Sequence, residues 1–241
     1  MAEDADRVGR LTALIDEQPA ADDDQPGTPG RLRRLCTTVT QVVPATWAGL
    51  SLAENGKVSG ALTGSDSHAR ELEDLQFTLG EGPCVDSVRS GSPVLEPDLA
   101  ASGFPRWPGY APEAYERGIR AVYAFPLRIG AACLGALDIY RDRAEPASAE
   151  AIDLGQAFAG IALTMLVDDD RPPRAHGDAS ALDDLLTPAL EVYQAQGMVM
   201  VDLDVSLAEA LVRLRAHAFV EGRPLADVAR DVVAGRLRLE P

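Results

Sequence analysis

The sequence predicts an α+β protein, an antiparallel sheet flanked by helices, followed by a small module of three helices. Three observations carry that expectation. WAGLSLA (47–53) and KVSGAL (57–62) flank Glu54-Asn55-Gly56-Lys57, and Asn-Gly is the pair that a two-residue type I′ hairpin turn requires. IRAVYAFPL (119–127) and AACLGALDIY (131–140) are joined by a tight connection at 128–130, which makes them antiparallel neighbours. Residues 189–239 read as three short amphipathic helices with capping signals between them.

Residues 1–29 form an expected flexible N-terminal segment: a short helical candidate at 5–16 and then QPAADDDQPGTPG, acidic and rich in Pro and Gly. The first domain spans 30–168. Leu32, Leu35, Val39 and Val42 recur at helical spacing, and Pro44 ends that helix. After the hairpin, Ser67 is placed to cap a helix over 68–75. LGEGPC (79–84) leads into a short helix ending near Arg89, and SPVLEPDL (92–99) has a strand-like centre. A crossing with Phe104, Trp107 and Tyr110 and a helix around 113–117 precede the second strand pair. Strands, a crossing with helices, and strands again define the α+β pattern.

The helix at 148–167 has two adjacent apolar stripes, one through Leu154, Phe158 and Met165 and one through Ile152, Ala159 and Leu166. Together they are wider than a one-sided surface helix needs. Either another helix of the same chain, such as 30–43, covers the excess, or a second copy does. DDDRPPRAHGDA (168–179) has the composition of a domain boundary, and the linker is placed at 169–181.

The second domain is 182–241. Thr187-Pro188 reads as N-cap and first helical residue, opening a helix with Leu190, Tyr193, Gly197 and Met200 on one face. A glycine inside a helix costs about 1 kcal/mol relative to Ala, so Gly197 implies close approach of another helix. Ser206-Leu-Ala-Glu209 is a capping box. Leu207, Ala210, Leu211, Leu214 and Ala218 form the next stripe, Gly222-Arg223-Pro224 restarts the chain, and Leu225, Val228, Ala229 and Val232 form the last stripe before Gly235.

The 241 residues carry a formal charge of −16, which disfavours indiscriminate attraction to phosphate or anionic lipid. From Ala189 onward there are six Arg against eight Asp or Glu, so the acidity lies in front. Cys36, Cys84 and Cys133 are scattered and odd in number, and the three histidines are dispersed, which supports neither a disulfide framework nor a metal site. Lys57 is the only lysine, so no GxxxxGK phosphate loop exists. The acidic N-terminus lacks the apolar core of a secretory signal, and the longest apolar run, 157–167, is short for a membrane span. A cytoplasmic protein with no membrane partner is expected.

At YQAQGMVM, SLAEALVRLRAHA and RPLADVARDVV the C-terminal module resembles the ANTAR domain of bacterial transcription antitermination regulators. Ala195, Gly197 and Met200 meet the core of the family's first helix, Ala210, Leu214 and Arg215 its second, and Leu225, Val228 and Ala229 its third. Upstream, LGEGPC and the strands IRAVYAFPL and LGALDIY resemble a GAF domain over 30–168. The resemblance implies a non-enzymatic regulator whose ANTAR domain binds paired hairpins in nascent transcripts, as a homodimer, under the control of a sensory GAF domain. It implies no cofactor.

Folded hairpins expose loop bases for stacking and phosphates for cations, which makes Gln196, Arg213, Arg215 and Arg223 the RNA-binding candidates. The family often has Lys where Gln196 stands, and the module lacks a net basic balance. Trp47, Trp107, Tyr110 and Tyr123 are candidates to line a small-molecule pocket in the sheet domain. Cys84, at a probable helix start where a thiol pKa is lowered, is the redox candidate. Other functional classes stay open: a helix-turn-helix DNA-binding regulator, a GAF-based interaction or redox sensor that does not bind RNA, and a cysteine-dependent reductase of free methionine sulfoxide.

Overall fold

The computed structural model describes residues 2–20, 27–54, 56–167 and 181–240. Strands β1 (Trp47–Glu54) and β2 (Lys57–Gly64) form the expected hairpin. Strand β3 (Val94–Glu96) is short, and β4 (Ala121–Ile129) and β5 (Ala132–Arg141) are long neighbours. All pairings are antiparallel, in the order β2-β1-β5-β4-β3. The helices, in chain order, are α1 (Ala2–Glu17), α2 (Thr28–Val42), α3 (Ser67–Leu79), α4 (Pro83–Ser90), α5 (Phe104–Arg106), α6 (Tyr110–Glu116), α7 (Ala149–Val167), α8 (Ala181–Leu203), α9 (Leu207–Val220) and α10 (Leu225–Val233).

Side chains alternate across a strand, and both faces of the central strands are buried. Tyr123, Phe125 and Leu127 of β4 join Leu137 and Ile139 of β5 in a core with α1, α2 and α7. Val122, Ala124 and Tyr140 point the other way, into a core with α3 and α6. Gly155 brings α7 onto the sheet: a Cβ there would lie 2.5 Å from the Phe125 ring. Phe158 is fully buried beside it, and its truncation to Ala would cost about 3–5 kcal/mol.

The excess apolar surface of α7 is covered in part within the chain, by α2 and by α1, while Ile152, Leu154, Leu163 and Leu166 stay half-buried and Val167 exposed. Residues 1–29 are therefore not uniformly the flexible segment expected. Helix α1 has Leu11 and Ile15 buried in the sheet-domain core, and Arg31 pairs with Asp16 at 3.0 Å. The helix expected at 5–16 forms, but the acid-rich loop after it gave no sign that its apolar face packs into the sheet domain. Among the described residues, α7 is the one helix long and apolar enough to cross a membrane, by length and composition alone; it packs on β4, β5 and the two helices.

Several boundaries shift. Asp66, not Ser67, caps α3, accepting from Ala69 N at 2.8 Å. The expected linker lies, up to residue 180, outside the described residues. Helix α8 starts at Ala181, so Thr187-Pro188 sits inside it; a proline removes one backbone hydrogen bond and need not start a helix. The capping box forms as expected, Ser206 Oγ accepting from Glu209 N at 3.1 Å.

In the C-terminal module, Val192, Ala195 and Val199 of α8 meet Ala210, Leu214 and Ala218 of α9 and Leu225, Val228, Ala229 and Val232 of α10. The buried face of α8 is thus rotated from the one expected: Leu190 and Tyr193 are exposed. Gly197 makes no close helix approach, since an added Cβ would meet nothing within 4 Å.

Candidate functional site

Helix α3 joins the two domains, and its two ends do different things. Its middle builds a buried polar cluster with the sheet. Glu73 and Gln76, one turn apart, face Asp138 and Tyr140, which share a side of β5. Gln76 is the hub: its Nε2 donates to Asp138 Oδ2 at 2.6 Å and to Tyr140 OH at 2.9 Å, while its Oε1 accepts from Cys84 N at 2.8 Å. Tyr140 OH donates to Glu73 Oε1 at 2.7 Å, and Cys84 Sγ lies 2.9 Å from Ser51 Oγ. Two glycines make room. The Glu73 carboxyl occupies the space of a Cβ at Gly49, and the Gln76 amide that of a Cβ at Gly82.

Among the described residues, no cation enters the cluster's hydrogen bonds. Glu73 Oε2, Asp138 Oδ1 and Tyr110 OH are buried without a hydrogen-bond partner. Desolvation, then the neighbouring Asp138, pushes the Glu73 carboxyl well above its ordinary range. Desolvation raises Asp138 to about 7, against the hydrogen bonds that stabilise its charge. Two carboxyls in one dry site hold protons that exposed ones would release. Glu73, Cys84 and Asp138 bring an oxygen, a sulfur and an oxygen within 4.8 Å of one another, a donor set that scattered cysteines and histidines did not foreshadow.

The sequence-based candidates of the sheet domain separate. Trp107 and Tyr110 lie buried with Trp47 against α3 and α6. Trp107 Nε1 donates to Asp86 at 3.2 Å, and the Trp47 ring meets His68 at a 57° tilt, 4.8 Å between centroids. Tyr123 is on the opposite face of the sheet, its hydroxyl donating to Glu145 O. The four do not line one pocket. Cys84 does start α4, but it is fully buried, and desolvation together with Asp138 and Glu73 raises its pKa well above normal. The helix N-terminus is outweighed, and Cys84 is held as a thiol.

The RNA-binding candidates also divide. Gln196 is buried and donates to Leu207 O at 2.6 Å, tying α8 to the start of α9; that contact is structural. Arg213 pairs with Glu209 at 3.1 Å and Arg223 with Asp231 at 2.6 Å, both on partly exposed side chains. Arg215 is turned toward the sheet domain. Its guanidinium fills the space of a Cβ at Gly80, just past the end of α3, and desolvation lowers its pKa.

The far end of α3 thereby receives the C-terminal module. Thr78 Oγ1 accepts from Leu225 N at 3.3 Å, supplying a partner to the first amide of α10. Val58 and Phe77 of the sheet domain share a cluster with the core of the module, and burial, then the nearby Glu54 carboxylate, raises the pKa of the Tyr193 hydroxyl. Glu73, Gln76 and Thr78 carried no motif, whereas Gly80 and Cys84 lie in LGEGPC (79–84), and Asp138 is a lone acid in an apolar strand.

The GAF domain family matches residues 30–163, and the ANTAR domain family matches residues 189–233. Comparison with curated proteins finds no match. Among solved structures, the GAF domain of an Acinetobacter phosphoenolpyruvate-protein phosphotransferase is similar at 11% identity, with a TM-score of 0.50, over 68% of this chain and 93% of that one. The GAF domain of the Coxiella burnetii phosphoenolpyruvate-protein phosphotransferase is similar at 16% identity, with a TM-score of 0.50, over 68% and 92%. At such identities the likeness concerns the fold of the sheet domain.

Proposed function

The chain belongs to the GAF family and carries a C-terminal ANTAR domain, and from that premise we propose that it binds hairpin RNA when its two domains separate. A GAF sensor followed by an ANTAR domain is the architecture of signal-controlled transcription antitermination regulators. Neither module is a catalytic domain. The partner of the ANTAR domain is a paired hairpin in a nascent transcript, bound by two copies of the chain in the cytoplasm. A modest affinity per copy is compensated when two linked sites engage together, which suits a module without a net basic balance.

One observation carries the reading. Helix α3 places Glu73 and Gln76 in the sensor's buried cluster and Thr78 and Gly80 against the ANTAR domain. A signal that rearranges the cluster moves the surface on which the ANTAR domain rests. Arg215, the cation nearest that surface, is withheld from phosphate in the docked form and released when the domains part.

The test is binding of a labelled two-hairpin RNA and of duplex DNA to the full chain at several salt concentrations. The reading expects RNA binding that weakens with salt, is lost with single hairpins, and tightens in Thr78→Val, which removes the acceptor for Leu225 N. Preference for duplex DNA would favour a helix-turn-helix regulator, and no affinity for either at low salt would leave a protein-interaction module.

A further inference from the structure

A cleft of about 750 Å³ runs between the two domains, within the range of small-molecule sites. It is separate from the buried carboxyl cluster, none of whose residues lines it. One wall is the β1–β2 turn with Phe77 and the start of α4, and the other is α8 and α9. Its charge is out of keeping with the chain. In a protein of net charge −16, the lining holds Lys57, Arg89 and Arg215 and no acidic residue. Glu54, near the Tyr193 hydroxyl, does not line it.

The cations are incompletely answered. Arg215 Nε is buried with no hydrogen-bond partner; the carbonyl end of α3 favours a cation there but leaves that donor unused. Arg89 pairs with Asp86 at 2.6 Å, and the same carboxylate also holds Arg106 at 2.9 Å, so one acid serves two guanidiniums. Lys57 is exposed. Apart from Ser59 and Gln196, the rest of the lining is apolar: Phe77 lies deep, Leu211 is half-buried, and Tyr193, Leu207 and Val212 remain exposed. Incompletely answered cations beside open apolar surface select one chemistry.

We propose that this interdomain cleft is a binding site for a small organic anion with a flat apolar body, an aryl carboxylate or aryl phosphate. The anionic group sits between Lys57 and Arg215 and satisfies the orphaned Nε. The apolar body covers Leu207, Val212 and the Tyr193 ring. Both walls are needed, so the anion binds the docked arrangement and stabilises it over the separated one by mass action. The site rests on the cleft's own geometry and stands whether or not the chain binds RNA.

The test uses 4-(trifluoromethyl)benzoate followed by fluorine NMR on the full chain, with 4-(trifluoromethyl)benzyl alcohol as neutral isostere and phenyl phosphate as competitor. The expected result is saturable benzoate binding, displaced by phenyl phosphate, with the alcohol at least about tenfold weaker. Lys57→Gln, at an exposed position, weakens the benzoate by about threefold or more, and Arg215→Gln by about tenfold. Val212→Trp fills the cleft and abolishes binding while the far-ultraviolet circular dichroism stays unchanged. Phenyl phosphate binding more tightly than the benzoate would assign the site to phosphate esters, and the reverse to carboxylates. Absence of saturation, equal affinity for the alcohol, or unchanged binding in both Lys57→Gln and Val212→Trp would overturn the proposal.

Discussion

Arg215 lies against Gly80 so closely that its guanidinium takes the space of the missing Cβ. Gly80 is also the C-cap of α3, with φ +67, a left-handed conformation that costs an L-residue about 1–2 kcal/mol. One glycine thus ends the sensor helix and seats the output domain. Ala at this position strains the cap and expels Arg215 together. Gly80→Ala is expected to lower the melting temperature and to raise affinity for the two-hairpin RNA, measured by thermal denaturation and by titration with labelled RNA. Lower stability with unchanged RNA affinity would confine Gly80 to capping.

The buried carboxyls give stability a definite pH dependence. Asp138 is raised from its ordinary 3.8 to about 7, and Glu73 is raised as well. Between these limits the folded chain holds more protons than the unfolded one, so stability is greatest on the acidic side and falls as pH rises through the window. Each extra bound proton gives a slope of at most about 1.4 kcal/mol per pH unit. Asp74, raised to about 6 mainly by burial, acts in the same direction. Urea denaturation is expected to show stability decreasing from pH 4 to 7. Asp138→Asn keeps an acceptor for Gln76 and removes the charge, so it should flatten that slope and be more stable at pH 8. A flat wild-type profile would mean that the cluster is hydrated or neutralised by a cation.

Thiol reactivity separates burial from helix position. Cys84 has the helix start that lowers a thiol pKa, but it lies beside two carboxyls in a dry site. Cys36 is also buried and raised, whereas Cys133 is half-exposed. Native protein treated with a chromogenic disulfide reagent is therefore expected to label at Cys133, with Cys36 and Cys84 reacting on unfolding. Rapid native labelling at Cys84 would restore it as a redox sensor.

The contrast at Cys84 marks what a sequence can convey. Local features were legible: the Asn-Gly hairpin, the Ser206 cap and the stripe of α10, whose Leu225, Val228, Ala229 and Val232 are all buried. Each is set by residues within a turn or two. The sensor cluster is not local. Its Glu73, Cys84 and Asp138 come from α3, α4 and β5, and the packing of the two helices on the sheet brings them together. Arg215 was visible at the border of an apolar stripe, but nothing near it announced that α3 would cover it. The N-terminus was legible in part: Leu11 and Ile15 lie on the helix expected at 5–16 and are buried, a packing that the acidic surroundings did not announce.

Gly197 offers the last test, because its local and functional roles pull apart. It lies inside α8, where Gly costs about 1 kcal/mol relative to Ala, and an added Cβ would meet nothing. Within a single chain, Gly197→Ala should therefore stabilise the protein by about that amount, read from urea denaturation. Leu190 and Tyr193, on turns of α8 preceding it, are exposed. Should a second copy or an RNA hairpin approach α8 closely at Gly197, the added methyl obstructs it. A more stable variant with weaker RNA binding or a weaker dimer would place the partner on this face of α8. A more stable variant with both properties intact would put the partner elsewhere on the module.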